Sequence, residues 1–110
     1  MVSMIELIAS PSQHDGKIVG VVGYLVYVFE ANALYLSSVD SEHVVIRNSL
    51  YLSLNPQVQE RAKRLQNSYI IVLGTFSAPN NGDPMSRAGT MNAITDIRSW
   101  PLDVNEDVKK

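Results

Sequence analysis

From Gly16 to Leu25 the chain reads Gly-Lys-Ile-Val-Gly-Val-Val-Gly-Tyr-Leu, a valine-rich run broken by two internal glycines. From Tyr69 to Phe76 the theme returns as Tyr-Ile-Ile-Val-Leu-Gly-Thr-Phe. β-branched and aromatic side chains suit a pleated, half-buried strand. A glycine inside such a run marks a bulge, a hard bend or a close backbone approach. Two long strands that bend are what a small sheet needs in order to close on itself. The pair therefore constrains architecture, and says much less about chemistry.

The other segments order themselves around these runs. Ser3-Met4-Ile5-Glu6 has the spacing of a capping box, opening a short apolar helix that stops near Pro11. Asp15-Gly16 signals a turn. A first strand is expected from Lys17 to about Phe29, then a tight turn at Glu30-Ala31-Asn32. Strands at Ala33–Ser38 and Ser49–Leu54 follow, with Val39–Asn48 as a connection able to lengthen either one. Asn55-Pro56 announces a helix, with Asn55 as N-cap and Pro56 at the first helical position. Val58, Ala62 and Leu65 give it one apolar stripe, and Glu60 and Arg64 a favourable pair on the wet side. Asn67 is a plausible stop. Ser68–Phe76 and Thr90–Arg98 read as the last two strands. Between them Ser77–Gly89 reads as a long mobile loop, and the tail after Pro101 as frayed.

Leaving aside the first helix, the order β-β-β-α-β-β is that of the OB-fold, a five-stranded Greek-key barrel with its helix between the third and fourth strands. The expected class is thus mainly β. A chain of 110 residues fits one such domain, with a core from about residue 4 to 100. Cysteine is absent, so packing rather than disulfides or thiolate metal sites must hold it. A formal charge of −2 gives no overall pull toward nucleic acid. There is no secretory leader pattern and no apolar run near the ~20 residues that span a bilayer, so a soluble cytoplasmic protein is expected.

The stretch Pro11 to Leu25 resembles the Gly-Lys-x-Val-x-Val-x-Gly-x-Leu pattern of small bacterial OB-fold proteins. Ala33-Leu34-Tyr35-Leu36 and Leu73-Gly74-Thr75-Phe76 resemble the later strands of that pattern. The likeness covers roughly Met4 to Arg98, and its motifs are structural glycines and core valines, with no catalytic residue to carry over. Gly20 and Val22 depart from it, since those positions are often polar. What the resemblance implies for function is the role of several such proteins, which act beside bacterial toxins as immunity proteins.

Strand alternation sorts the side chains into faces. Leu34, Leu36, Leu50, Leu52 and Leu54 should point inward, leaving Tyr35, Ser37, Tyr51 and Ser53 outside. Tyr35 and Tyr51 then share a surface where many OB-folds stack bases, although two tyrosines on a sheet are also accounted for by β-propensity alone. No Lys or Arg interleaves with them in the sequence. Elsewhere, Val19, Val21, Leu25, Ile70, Val72 and Phe76 should point inward and Val22, Val26, Val28, Ile71 and Leu73 outward. Val22, Ile71 and Leu73 would form one apolar patch on neighbouring strands. Leaving a large aliphatic in water forgoes about 1.5–3 kcal/mol of burial, so the patch calls for a cover: the amino-terminal helix, a partner protein, or a second copy in a homodimer.

Catalytic and metal signatures are sparse. His14 and His43 lie far apart, and Asp40-Ser41-Glu42-His43 reads as a solvated loop rather than a metal site. Asn80-Asn81-Gly82-Asp83 lacks the spacing of a calcium loop. No nucleophile elbow or phosphate-cradling glycine loop occurs. Arg61, Lys63 and Arg64 read as a solvated helix face, and Trp100 as closing the barrel edge.

The expectation is a non-enzymatic protein without cofactor or metal that binds another protein, plausibly an immunity or inhibitor protein occluding a toxin. Its contact residues would be Tyr35 and Tyr51 with Ser37 and Ser53 beside them, and Asp40, Glu42 and Asp83 in the flanking loops to meet a basic cleft. The patch of Val22, Ile71 and Leu73 is a second candidate interface. The alternative is a single-stranded nucleic-acid binder that uses the tyrosines for bases and Lys17, Arg47 and Arg87 for phosphates.

Overall fold

A computed structural model describes residues 1–28, 31–79 and 86–102 of the chain. Its strands are β1 (Ile18–Val26), β2 (Ala33–Tyr35), β3 (Ser49–Leu52), β4 (Ser68–Ser77) and β5 (Gly89–Ser99). They close a barrel in the order β1-β2-β3-β5-β4. Neighbours are antiparallel except β3 and β5, which run parallel. Three α-helices accompany them: α1 (Met4–Ala9), α2 (Ser38–Glu42) and α3 (Pro56–Leu65). With α3 between β3 and β4, the architecture is the mainly β, OB-fold-like barrel expected.

Closure depends on β1 serving two partners. It pairs with β4 from Ile18 to Leu25, and with β2 only from Tyr24 to Val26. Gly23 lies at the crossing. A Cβ there would sit 2.6 Å from Leu34 Cγ and 2.7 Å from the Tyr35 carbonyl oxygen, so only glycine lets β2 come so near. On the far side, β4 and β5 slip register between Leu73 and Thr75. There a Cβ on Gly74 would lie 2.9 Å from the Asn92 carbonyl oxygen. Gly20 is different. A Cβ on it would make only ordinary contacts, so the coiling of β1 rests on Gly23 rather than on both of its glycines.

The inward positions follow the expected alternation: Val19, Val21, Leu25, Ile70, Val72 and Phe76 are all buried. Met4 and Leu7 of α1, and Val58 and Ala62 of α3, join the same core, and Leu65 packs against it. Both helices begin as their sequences dictate. The Ser3 hydroxyl accepts from the Glu6 amide at 3.1 Å while the Glu6 carboxylate accepts from the Ser3 amide at 3.3 Å. Asn55 Oδ1 accepts from the Val58 amide at 3.1 Å. Asn67, at φ 61°, ends the helical segment and turns the chain into β4.

Several boundaries differ from expectation. β1 ends at Val26, and Phe29 and Glu30 lie outside the described residues. β2 stops at Tyr35 and β3 at Leu52, and Val39–Asn48 extends neither of them: it runs through most of α2 and a 3-10 turn at Ile46–Asn48. Short polar side chains decide this by satisfying the backbone locally. Ser37 Oγ accepts from the Asp40 amide at 3.1 Å, and the Asp40 carboxylate accepts from Asn48 Nδ2 at 3.2 Å. Leu36 and Leu54, expected in the core, are only half-buried at the strand ends. Residues 80–85 of the long loop and 103–110 of the tail lie outside the described residues. Among the described residues, no helix is long and apolar enough to cross a membrane.

Candidate functional site

The barrel presents two outer faces, and they differ in how much is left open. On β2 and β3 the register pairs Tyr35 with Ser49 and Ala33 with Tyr51. The two tyrosines therefore do share one face, diagonally placed. Tyr35, however, is only 5% exposed. Arg87, arriving from the segment before β5, lays its guanidinium 5.9 Å from the Tyr35 ring centroid and donates from Nη1 to the Ser49 hydroxyl at 2.6 Å. The Ser49 hydroxyl in turn donates to the Ile46 carbonyl at 2.6 Å. This corrects the reading of Tyr35 as an open anchor: a cation stacked on a ring and tied to a buried hydroxyl is a lid over it. It also corrects the picture of tyrosines with no basic residue among them, since folding brings Arg87 to that face.

Other residues proposed for that surface have structural employment. Ser37 caps α2, and Asp40 braces Asn48. Tyr51 is half-buried beside Arg87, Pro79 and Thr90. Ser53 and Glu42 are exposed, and Asp83 lies outside the described residues.

The second face runs across β1, β4 and β5. Val22 pairs with Ile71, and Gly20 with Leu73, so the three aliphatic side chains of the expected patch do come together. One step along, Ile18 stands opposite Thr75 and is 76% exposed, while Leu73 is 42% exposed. Gly20 forms a low floor between Leu73, Ile71 and Met1, whose atoms lie 3.7–3.9 Å from the place its Cβ would take. Helix α1 flanks only the Val22 end of this surface, through Met4 and Ile5, and leaves Ile18 and Leu73 exposed. It sends Met4 and Leu7 into the core and leaves Ile5 exposed. The extreme amino terminus touches it as well: the Val2 amide donates to the Gly20 carbonyl at 2.9 Å, on the β1 edge that β2 does not reach. Met1 to Ile5, with Val22 and Leu36, line a largely apolar hollow of about 290 Å³ there.

At one end the face runs into two tyrosine rings, of which Tyr69 stays 38% exposed. Tyr24 and Tyr69 meet edge to face at 5.3 Å, and the Tyr69 hydroxyl accepts from the Ser38 amide at 3.1 Å. Trp100 continues the β4 ladder there, donating its amide to the Tyr69 carbonyl at 3.0 Å, and its side chain is half-buried. At its side the face meets charge. Ile71 pairs with Arg98 and Leu73 with Asp96 across the β4–β5 ladder. Arg61 of α3 reaches over to Asp96 at 2.9 Å instead of leaving the helix charges to pair among themselves. The expected Glu60–Arg64 ion pair is not made.

Sequence reasoning found Val22, Ile71 and Leu73 but overlooked Ile18, Asp96 and Arg98. The alternation that placed the first three also placed the others: Ile18 is two residues from Gly20, and Asp96 and Arg98 alternate with the buried Ile97. What was missing was the β4–β5 register, which depends on the slip at Gly74. Among the described residues no group of His, Asp and Glu side chains is arranged to hold a metal ion. No family model matches the chain, and no curated protein matches it.

Proposed function

We propose that this chain is a non-enzymatic binding protein that acts by contact with another protein through the outer face of β1, β4 and β5. The observation that carries the reading is the row of Ile18, Leu73, Ile71 and Val22 on adjacent strands, with Ile18 76% and Leu73 42% exposed. A contiguous aliphatic surface beside a charged border has the composition of an interface core and rim. An immunity protein that neutralises a toxin by occluding it is the specific form of this role implied by the sequence resemblance. A second copy of the chain is the simplest alternative occupant of the same face.

The test is cross-linked capture from the source cell with quantitative mass spectrometry, run beside sedimentation of the purified protein. Ile18→Glu and Leu73→Glu should each lower enrichment of the captured partner by about tenfold, as for a central contact. Tyr51→Ala should leave it unchanged. Equal enrichment by all the variants would overturn the assignment to this face, and a concentration-dependent dimer abolished by Ile18→Glu would make the partner a second copy.

One observation favours a second reading. Arg87 beside Tyr35 and Tyr51 supplies the basic group that a single-stranded nucleic-acid site needs. Against it, Tyr35 has no open ring face to stack a base. A steep fall in oligonucleotide affinity with salt, lost in Arg87→Ala, would establish this reading; absence of binding at low salt would end it.

A further inference from the structure

The apolar face ends on its β5 side at an arginine rim. Asp96 holds two guanidinium groups: Oδ1 accepts from Arg61 Nη1 at 2.9 Å and Oδ2 accepts from Arg98 Nε at 2.8 Å. Arg61 is tied further by donating to the Ile97 carbonyl at 3.3 Å. Both arginine side chains nonetheless stay open to solvent, at 50% and 65% exposure. Arg64, three residues on from Arg61 along α3, is exposed and makes no ion pair among the described residues. An open groove of about 590 Å³ separates α3 from β5, bordered by these three arginines and walled by Leu65 and Ile97.

Three guanidinium groups thus border the groove, and its one carboxylate, Asp96, pairs with two of them. Glu60, the other acid nearby on α3, is exposed and bridges none of them. A guanidinium carries five N–H donors in a fixed fork. Asp96 uses one donor of Arg98 and one of Arg61, which orients the forks and leaves most of their donors for another acceptor. The excess is positive in a chain whose overall charge is −2, so the rim is a local feature that composition conceals. It lies against the aliphatic row because Arg98 pairs directly with Ile71.

We propose that this rim selects an acidic partner segment, one with apolar side chains that seat on Val22, Ile71 and Leu73 and carboxylates along one edge that meet Arg98, Arg61 and Arg64. The inference rests on the protein-contact reading above and adds the chemistry of the partner. A protein segment fits better than a phosphate polyanion because the surface between the charges is aliphatic. Leu65, Ile71 and Leu73 reward burial of leucine-like groups, and the ring beside the row, Tyr69, is already engaged by Tyr24 and the Ser38 amide.

The experiment uses fluorescein-labelled amphipathic peptides that share one leucine stripe and carry Glu, Gln or Lys along one edge, with a labelled oligothymidylate as the competing class. The Glu peptide should bind most tightly and the Lys peptide least. Arg98→Gln and Arg64→Gln should each weaken the Glu peptide by about threefold while leaving the Gln peptide unchanged. Raising salt from about 50 to about 300 mM should erase most of the Glu preference. Arg64 makes no ion pair that the fold depends on, so its variant reads binding alone; circular dichroism and the melting temperature check Arg98→Gln. If Gln and Glu peptides bind equally and Ile18→Glu abolishes both, the acidic selection is wrong while the apolar face stands. If no peptide binds, both ideas fall. Tighter binding of the oligothymidylate, with the same arginine dependence, would overturn the proposal in favour of nucleic acid.

Discussion

The two outer faces of the barrel are built from the same alternation of side chains and end up in opposite conditions. On β2 and β3, Tyr35 points outward as strand periodicity requires, and Arg87 then covers it and hydrogen-bonds to Ser49. On β1 and β4, Ile18 and Leu73 also point outward, and no described element covers them. Direction is a property of the strand, whereas exposure depends on what a distant segment does. A polar ring with a basic neighbour can be sealed by the chain itself. An aliphatic row invites a cover of a different chemistry.

The comparison can be broken most severely inside β1, whose two central glycines belong to different sides. Gly23→Ala forces a methyl group onto Leu34 Cγ and the Tyr35 carbonyl, both under 3 Å away, and should cost about 3 kcal/mol in urea unfolding. A loss below about 0.5 kcal/mol would show that β2 is not pinned there. Arg87→Ala tests the sealed face next. It removes the cation over Tyr35 and the donor to Ser49, and should cost about 1–2 kcal/mol while raising the exposure of Tyr35 to iodide quenching or nitration. Unchanged stability and reactivity would mean that Arg87 is no lid.

The rim between the faces calls for a smaller effect. A double-mutant cycle on Arg61 and Asp96 should give about 0.2–1 kcal/mol of coupling, shrinking as salt rises, since the arginine is half exposed. Zero coupling at low salt would remove the oriented fork from the argument. Least of all should happen on the open face. Ile18→Thr and Gly20→Ala are expected to shift stability by no more than about 0.5 kcal/mol, because one side chain stands in solvent and the other position has room for a methyl. A loss of more than about 1 kcal/mol at either would mean that the surface is already packed against something.

Much of this was legible in the residues. Asn55-Pro56 and the Ser3–Glu6 box announced their helices because caps are local hydrogen bonds between near neighbours. The connection Val39–Asn48 was not legible as α2, although Ser37, Ser41 and Asn48 carry the local bonding that stops β2. The segment was expected to join β2 and β3 and to be able to lengthen either, and polar side chains bonding locally closed it into a helix instead.

By itself the sequence determined the order of the strands along the chain, the starts of α1 and α3 and the facing of most strand side chains, since these follow from periodicity and from contacts a few residues apart. It also determined where a side chain had to be absent, as at Gly23. Only the tertiary structure decided which outward residues remain open. Arg87 and Tyr35 stand 52 positions apart in sequence (87 − 35), and Arg61 and Asp96 stand 35 apart (96 − 61). Such pairings are fixed by barrel closure and by the register of β4 on β5. No local pattern encodes them, because their energy comes from groups that meet only when the sheet has closed.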